Sequence, residues 1–310
     1  MTSSVFSKPK VWVTFLIVIV IIGGLSTSGG RTLTAKLLGS LRMDKVQAVN
    51  VDLSPFVDAN ANPTLHQMVS QMISDKVEVQ VNEPDQQAPD AAAATRAAGF
   101  LVQLLRDRKD VPKLIVGGEH KLNLSIDRAR LQAIVDESGH HELSLPQSLQ
   151  GGIVMVQIPR SLNAQYGTCP GPASASNAIA SNITGPTPAT TQFSDCVRLR
   201  ESPSPVVNVP AGLDIESLAQ IGLETGGMTP AQAHDFLKTV DWKSTLSMAV
   251  PRFLRSYQEV KVAGTRGTLL TMSGRRGPGY VLVWANRGMV YTLTGFGDSS
   301  SAVTLADSLQ

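Results

Sequence analysis

The chain has 310 residues, of which 42% are hydrophobic, 17% charged and only 5% aromatic, with a formal net charge of +2. That length admits one large domain or two small ones, and the apolar fraction suffices for a packed core. A near-neutral balance, with no basic stripe and few aromatics interleaved with Arg or Lys, argues against nucleic acid as a partner.

In chain order, the first element is Val11 to Gly30, 20 residues without a charge. As a helix it reaches roughly 30 Å, the thickness of a hydrocarbon core. Trp12 sits at one edge, and Lys8 and Lys10 precede the run. A cleaved secretory signal is the alternative, because the mainly apolar part, Val11 to Leu25, spans 15 residues and is followed by small Ser26 and Ser28. No clear A-x-A site follows, so the expectation is an uncleaved anchor. Flanking charges point the other way on orientation: Arg31, Lys36, Arg42 and Lys45 outnumber Lys8 and Lys10, which favours a cytoplasmic C-terminal side. A basic tail before an apolar run is nevertheless the layout of an export signal. The expected protein is therefore single-pass in the cell membrane, with its C-terminal domain extracytoplasmic. Its expected organisation is a tail (1–10), an anchor (11–30), a juxtamembrane linker (31–63) and an α+β domain (64–310). That domain is expected to divide into halves 64–166 and 196–310 joined by the Cys169–Cys196 loop, and the ten residues before the anchor are expected to be too few for a cytoplasmic partner-binding domain.

Arg31 to Val46 reads as a juxtamembrane connector with some amphipathic helical character, and Asn50 to Pro63 as a loop. Thr64 is placed to cap a helix over Leu65 to Ser74, where Leu65, Met68, Val69, Met72 and Ile73 share one face. KVEVQV, Lys76 to Val81, alternates as a half-buried strand. Asp90 caps an Ala-rich helix expected to run to about Leu105, with a bend at Gly99. Lys113 to Val116 and His120 to Ile126 are strands around a Gly117-Gly118 turn. Asp127 caps a helix over Arg128 to Glu137, and Gly152 to Ile158 is a strand ended by Pro159. The Pro-, Gly- and Ser-rich stretch Gly167 to Asp195 reads as a long loop. Cys196 to Leu199 is a strand, the stretch to Pro210 is extended, and helices cover Leu213 to Leu223 and Thr229 to Val240. Strands over 245–250, 257–262, 267–273, 280–285 and 290–294 follow, the last four as an antiparallel meander. A helix over about Ser300 to Leu309, with Asp298 near its start, closes the chain.

Cys169 and Cys196 flank the loop, and in an exported protein they read as a disulfide worth about 3.6 kcal/mol if unstrained. Strands 152–158 and 196–199 pairing across the loop would bring the thiols together. Gly167-Thr168-Cys169-Pro170-Gly171 fails as a nucleophile elbow, because the residue after the thiol is proline and offers no N–H. His140, His141 and Glu142, and the pair Glu119-His120, lack metal-ligand spacing and read as solvated. Gly295-Phe296-Gly297 reads as a strand-to-helix turn rather than a dinucleotide fingerprint. Asn123 and Asn182 head glycosylation sequons to which no function is assigned. The residues thus predict no catalytic, cofactor-binding or metal site.

LPQSLQGGIVMVQIP, SPSPVVNVPAGLDIESLAQIGLETGGMTPAQAHDF and GTLLTMSGRRGPGYVLVWANRGMVYTLTGFGDSSSAVTLADSL resemble a bacterial extracytoplasmic domain. That domain sits behind a transmembrane helix on anti-sigma-factor-like proteins. Gly267, Trp284, Tyr291 and Gly295 carry the most specific part, while Leu101 stands where such domains have proline in A-G-F-P-V. The resemblance implies an α+β fold related to the curved sheets of lipoprotein carriers, and no catalytic residues. The expectation is a non-enzymatic, regulatory binding or sensing domain at the envelope, with the membrane and another envelope protein as partners. The alternative is a carrier of lipid or lipoprotein.

Overall fold

The computed structural model describes residues 45–52, 56, 62–169, 193, 195–210, 215–239, 245–251, 256–274 and 277–310. After a first strand, β1 (Lys45–Val51), four stretches of chain each make two strands, and this organises the sheets. They are β2 (Val77–Asn82) with β3 (Gln86–Ala88), β4 (Lys113–Gly117) with β5 (His120–Ser125), β6 (Ile153–Ile158) with β7 (Ser161–Tyr166), and β8 (Val197–Pro203) with β9 (Val206–Asn208). One member of each joins a four-stranded sheet of order β2-β5-β6-β9, and the other enters an eight-stranded sheet in the matching order β3-β4-β7-β8. The eight-stranded sheet continues through the meander β14 (Met289–Phe296), β13 (Gly277–Asn286), β12 (Thr265–Gly274) and β11 (Ser256–Val262). Every pairing in both sheets is antiparallel.

The break between sheets falls at Pro84, Gly118, Pro159 and Pro205, one in each stretch. Proline has no N–H to give a ladder, so a strand running through it loses its neighbour there. At Gly118 the main chain of Glu83 lies where a Cβ would stand, so only glycine fits. Side-chain alternation survives the break: Val154, Val156 and Ile158 are buried before it, Leu162, Ala164 and Tyr166 after it. The β6–β7 stretch is therefore one long amphipathic strand bent at a fixed point.

Six α-helices lie among the described residues: α1 (Pro63–Lys76), α2 (Ala91–Ala98), α3 (Arg128–Glu137), α4 (Ile215–Thr225), α5 (Pro230–Thr239) and α6 (Ala302–Asp307). The cap of α1 is Asn62 rather than Thr64: its side chain accepts from the Leu65 N–H at 2.9 Å, and Pro63 occupies the first turn. Asp90 caps α2 as expected, but the helix stops at Ala98. There Gly99 adopts φ 81° and turns its N–H to the Thr95 carbonyl, so 100–105 runs on as an extended strap. Asp127 caps α3, and Thr229 and Gln232 exchange bonds across the start of α5.

Three apolar clusters hold these pieces. The largest fills one face of the eight-stranded sheet with Leu162, Leu199, Tyr280, Leu282, Trp284 and Leu293, beneath α2, α6 and the strap. A second joins the four-stranded sheet to α3 through Leu122, Val156 and Val135, with Leu218 and Ile221 of α4 at its margin. The third packs α4 and α5 on Val49 and Val51 of β1.

Several expectations are corrected. Gly117-Gly118 joins no hairpin, because β4 and β5 belong to different sheets. Lys45–Val51, placed in the connector and loop, is a strand paired in parallel with β10 (Thr245–Pro251), and its Val49 and Val51 are buried. Residues 152–158 do not pair with 196–199; β7, unforeseen, does, with Tyr166 opposite Val197. The anchor, Val11 to Gly30, lies outside the described residues, as does most of the loop 170–194. No helix among the described residues is long and apolar enough to cross a membrane.

Candidate functional site

Where the strands bend, ladder hydrogen bonds are missing and side chains replace them. Glu83 gives its N–H to the Glu119 carbonyl at 3.0 Å, and the Glu119 N–H returns to Glu83 Oε2 at 3.1 Å. The Gly118 N–H reaches Asp85 Oδ1 at 3.3 Å. Arg160, the residue after the β6 break, lays its guanidinium fork on Glu83 at 2.8 and 3.0 Å and touches the Ala97 carbonyl with a third nitrogen at 3.3 Å. That fork, helped by the Glu119 N–H, holds the Glu83 carboxyl down at about 2.

Beside this line opens a cleft of about 280 Å³, lined by Ala98, Glu119, Gln157, Pro159, Arg160 and Pro203. Glu119 Oε1 accepts from Gln157 Nε2 at 2.7 Å and meets Lys121 Nζ at 3.1 Å. The ionisable groups are thus saturated by each other. Such a wall can orient a small polar ligand through Glu119, Gln157 and Arg160. It places no nucleophile beside a base.

A second polar centre lies inside the main core, and no motif pointed to it. Glu201 is fully buried on β8, on the same side as Val197 and Leu199. Both its oxygens accept from the Gln103 N–H, at 3.1 and 3.2 Å. Burial pushes its carboxyl up to about 8, against the pull of that N–H. The strap carrying Gln103 is anchored by side chains throughout: the Val102 N–H bonds Thr95 Oγ1 at 3.2 Å and the Leu105 N–H bonds the Tyr166 hydroxyl at 2.9 Å. On its other side, Leu104 pairs with Gln310 in both directions. The only sequence signal for Glu201 was its parity, a charged residue where VRLRE alternation calls for an apolar one.

Cys169 and Cys196 lie at bonding distance, with Cα atoms 4.9 Å apart, across 27 residues. A polar network ties the same loop base. Arg108 chelates Asp110 at 2.8 and 2.9 Å and reaches the Asp195 carbonyl at 3.0 Å, while Asp110 accepts from the Gly167 N–H at 2.7 Å. Because this network and the β7–β8 ladder hold the base independently, the double Cys→Ser variant should keep its fold. Its unfolding free energy in denaturant should fall by at most about 3.6 kcal/mol. Loss of the folded state would mean the bond, not the network, holds these strands.

The other sequence candidates stay apart. His140 Nδ1 contacts Glu142 at 3.2 Å in an exposed turn, His120 lies on β5, and no group of three metal-ligating side chains forms among the described residues. At Gly295 the ring of Tyr280 occupies the space of a Cβ, so this glycine serves packing rather than phosphate binding. Asn123 pairs within β5, and Asn182 lies outside the described residues.

No protein-family model, no curated protein and no solved structure matches the chain. The resemblance to the anti-sigma-factor-associated domain therefore stands on the quoted residues alone.

Proposed function

We propose that this is a single-pass membrane protein whose extracytoplasmic α+β domain binds or senses a ligand at the cell envelope and acts by regulation rather than catalysis. The observation that carries it is the Cys169–Cys196 pair, since disulfides persist in oxidising compartments and the uncharged run at Val11 to Gly30 supplies a route to one. The bend-line cleft supports binding: Glu119, Gln157 and Arg160 line it with polar groups that a small ligand can meet. The membrane is one partner, and another envelope protein is the second. A carrier of lipid or lipoprotein would need an open apolar groove. On the eight-stranded sheet that face is filled by Tyr166, Trp284 and Leu293 under α2, α6 and the strap, so the binding reading is preferred. Alkaline carbonate extraction of cells expressing the full chain should leave it in the membrane pellet. Release into the supernatant would remove the anchor from the account.

A further inference from the structure

The face of the eight-stranded sheet opposite the main core carries an arrangement that neither the bend-line cleft nor the strap uses. On β8, Arg198 and Arg200 point to that face, away from buried Val197, Leu199 and Glu201. Arg200 stands between Asn163 of β7 and Thr292 of β14, and Arg198 between Gln165 and Thr294. All six side chains are partly buried. Across β4, β7, β8 and β14 the single acidic residue is Glu201, which lies on the other face. Two residues along a strand set the backbones of the two arginines roughly 6–7 Å apart on this face.

Among the described residues Arg200 makes no hydrogen bond or ion pair; Asp85, on the bend line, is the carboxylate that acts on it. Asp85 already accepts from the Gly118 N–H. Burial correspondingly pulls the Arg200 guanidinium below its ordinary value, the mark of a cation short of compensation. Its flanking groups, the Asn163 amide and the Thr292 hydroxyl, are donors that an oxyanion accepts from. Arginine's planar fork matches phosphate oxygens two at a time.

We propose that this strip binds the phosphate of an anionic phospholipid headgroup. The choice of a lipid rests on the anchored reading. Residues 31–44, the 14 between the apolar run and β1, extend at most roughly 50 Å. That tether confines the strip to the neighbourhood of a bilayer surface. The strip itself, as a phosphate site, does not depend on which side of the membrane it occupies.

The test uses the full chain reconstituted in nanodiscs of phosphatidylcholine alone or mixed with phosphatidylglycerol, with the thermal unfolding midpoint of the domain as the readout. Phosphatidylglycerol should raise the midpoint by several degrees in the wild type, because a ligand that binds only the folded state stabilises it. Arg200→Gln should lose that rise, a weakening of roughly tenfold or more in binding. Thr292→Val, which keeps both charges, should lower the rise without abolishing it, and serves if Arg200→Gln does not fold. An equal midpoint in the two discs, or a rise that survives both substitutions, would overturn the proposal. Inorganic phosphate added to the phosphatidylcholine discs at matched ionic strength separates the sources. An equal rise with free phosphate would assign the strip to a soluble ligand and overturn the lipid, whereas a failure of carbonate extraction alone would remove the tether and leave the phosphate site standing.

Discussion

Trp284→Ala should destabilise the domain by about 3–5 kcal/mol. Trp284 is 2% exposed, and its ring stacks on Tyr291 of the neighbouring strand with centroids 5.1 Å apart and planes 9° from parallel. On its other side the β12 partner is Gly267, where a Cβ would approach Trp284 Cβ to 3.2 Å. Gly267 brings no side chain to that side of the indole, so truncation of Trp284 leaves a cavity that its cross-strand partner cannot fill. Tyr280 and Leu282 share its face, while Val283 and Ala285 pack on the opposite side, so β13 is covered on both faces. Equilibrium urea unfolding of the variant measures the loss. Wild-type stability would show that β13 does not hold the core together.

Glu201→Gln should remove a pH dependence and leave the fold intact. The wild-type carboxyl rises from an ordinary 4.5 to about 8 because burial penalises its charged form. A raised acid of this kind costs nothing below about 4.5, where it is protonated in both folded and unfolded chains. Stability then falls as pH climbs, because only the unfolded chain releases the proton readily, and it levels off above about 8. The full loss is on the order of 5 kcal/mol. Glutamine keeps an oxygen to accept from the Gln103 N–H and carries no charge, so its stability should stay flat where the wild type declines. The nearby Tyr166 and Tyr291 hydroxyls are pushed above their ordinary 10.0, chiefly by burial, and titrate outside this window. Denaturant midpoints for both proteins from pH 4 to pH 9 decide the matter. A wild-type slope that persists in the variant would place the proton elsewhere.

The meander was legible because each of its strands alternates and each turn is short, so local pattern and long-range pairing agree. Helix starts at Asp90, Asp127 and Thr229 were legible for the same local reason. The bend was not. Pro84, Gly118, Pro159 and Pro205 each end a ladder locally, and each reads singly as a loop, a turn or a strand stop. Their meaning comes from lying side by side, which depends on pairings between stretches far apart in sequence. The same non-locality hid β7 and the role of β1. In the candidate site, Glu119 reads from sequence as solvated and Arg160 carries no motif, and only the bend sets the two around a cleft. Glu201 and Arg200 differ by one position in sequence and face opposite sides of one strand. Parity marked the first as anomalous, but only the sheet order showed that the second stands between Asn163 and Thr292.

The extracytoplasmic placement of the domain is the claim on which the functional account turns, and the cysteines test it directly. In intact cells expressing the full chain, a thiol reagent should label neither Cys169 nor Cys196 until the protein is reduced, and should label both afterwards. Two reactive thiols before reduction would place the domain in a reducing compartment and contradict the account.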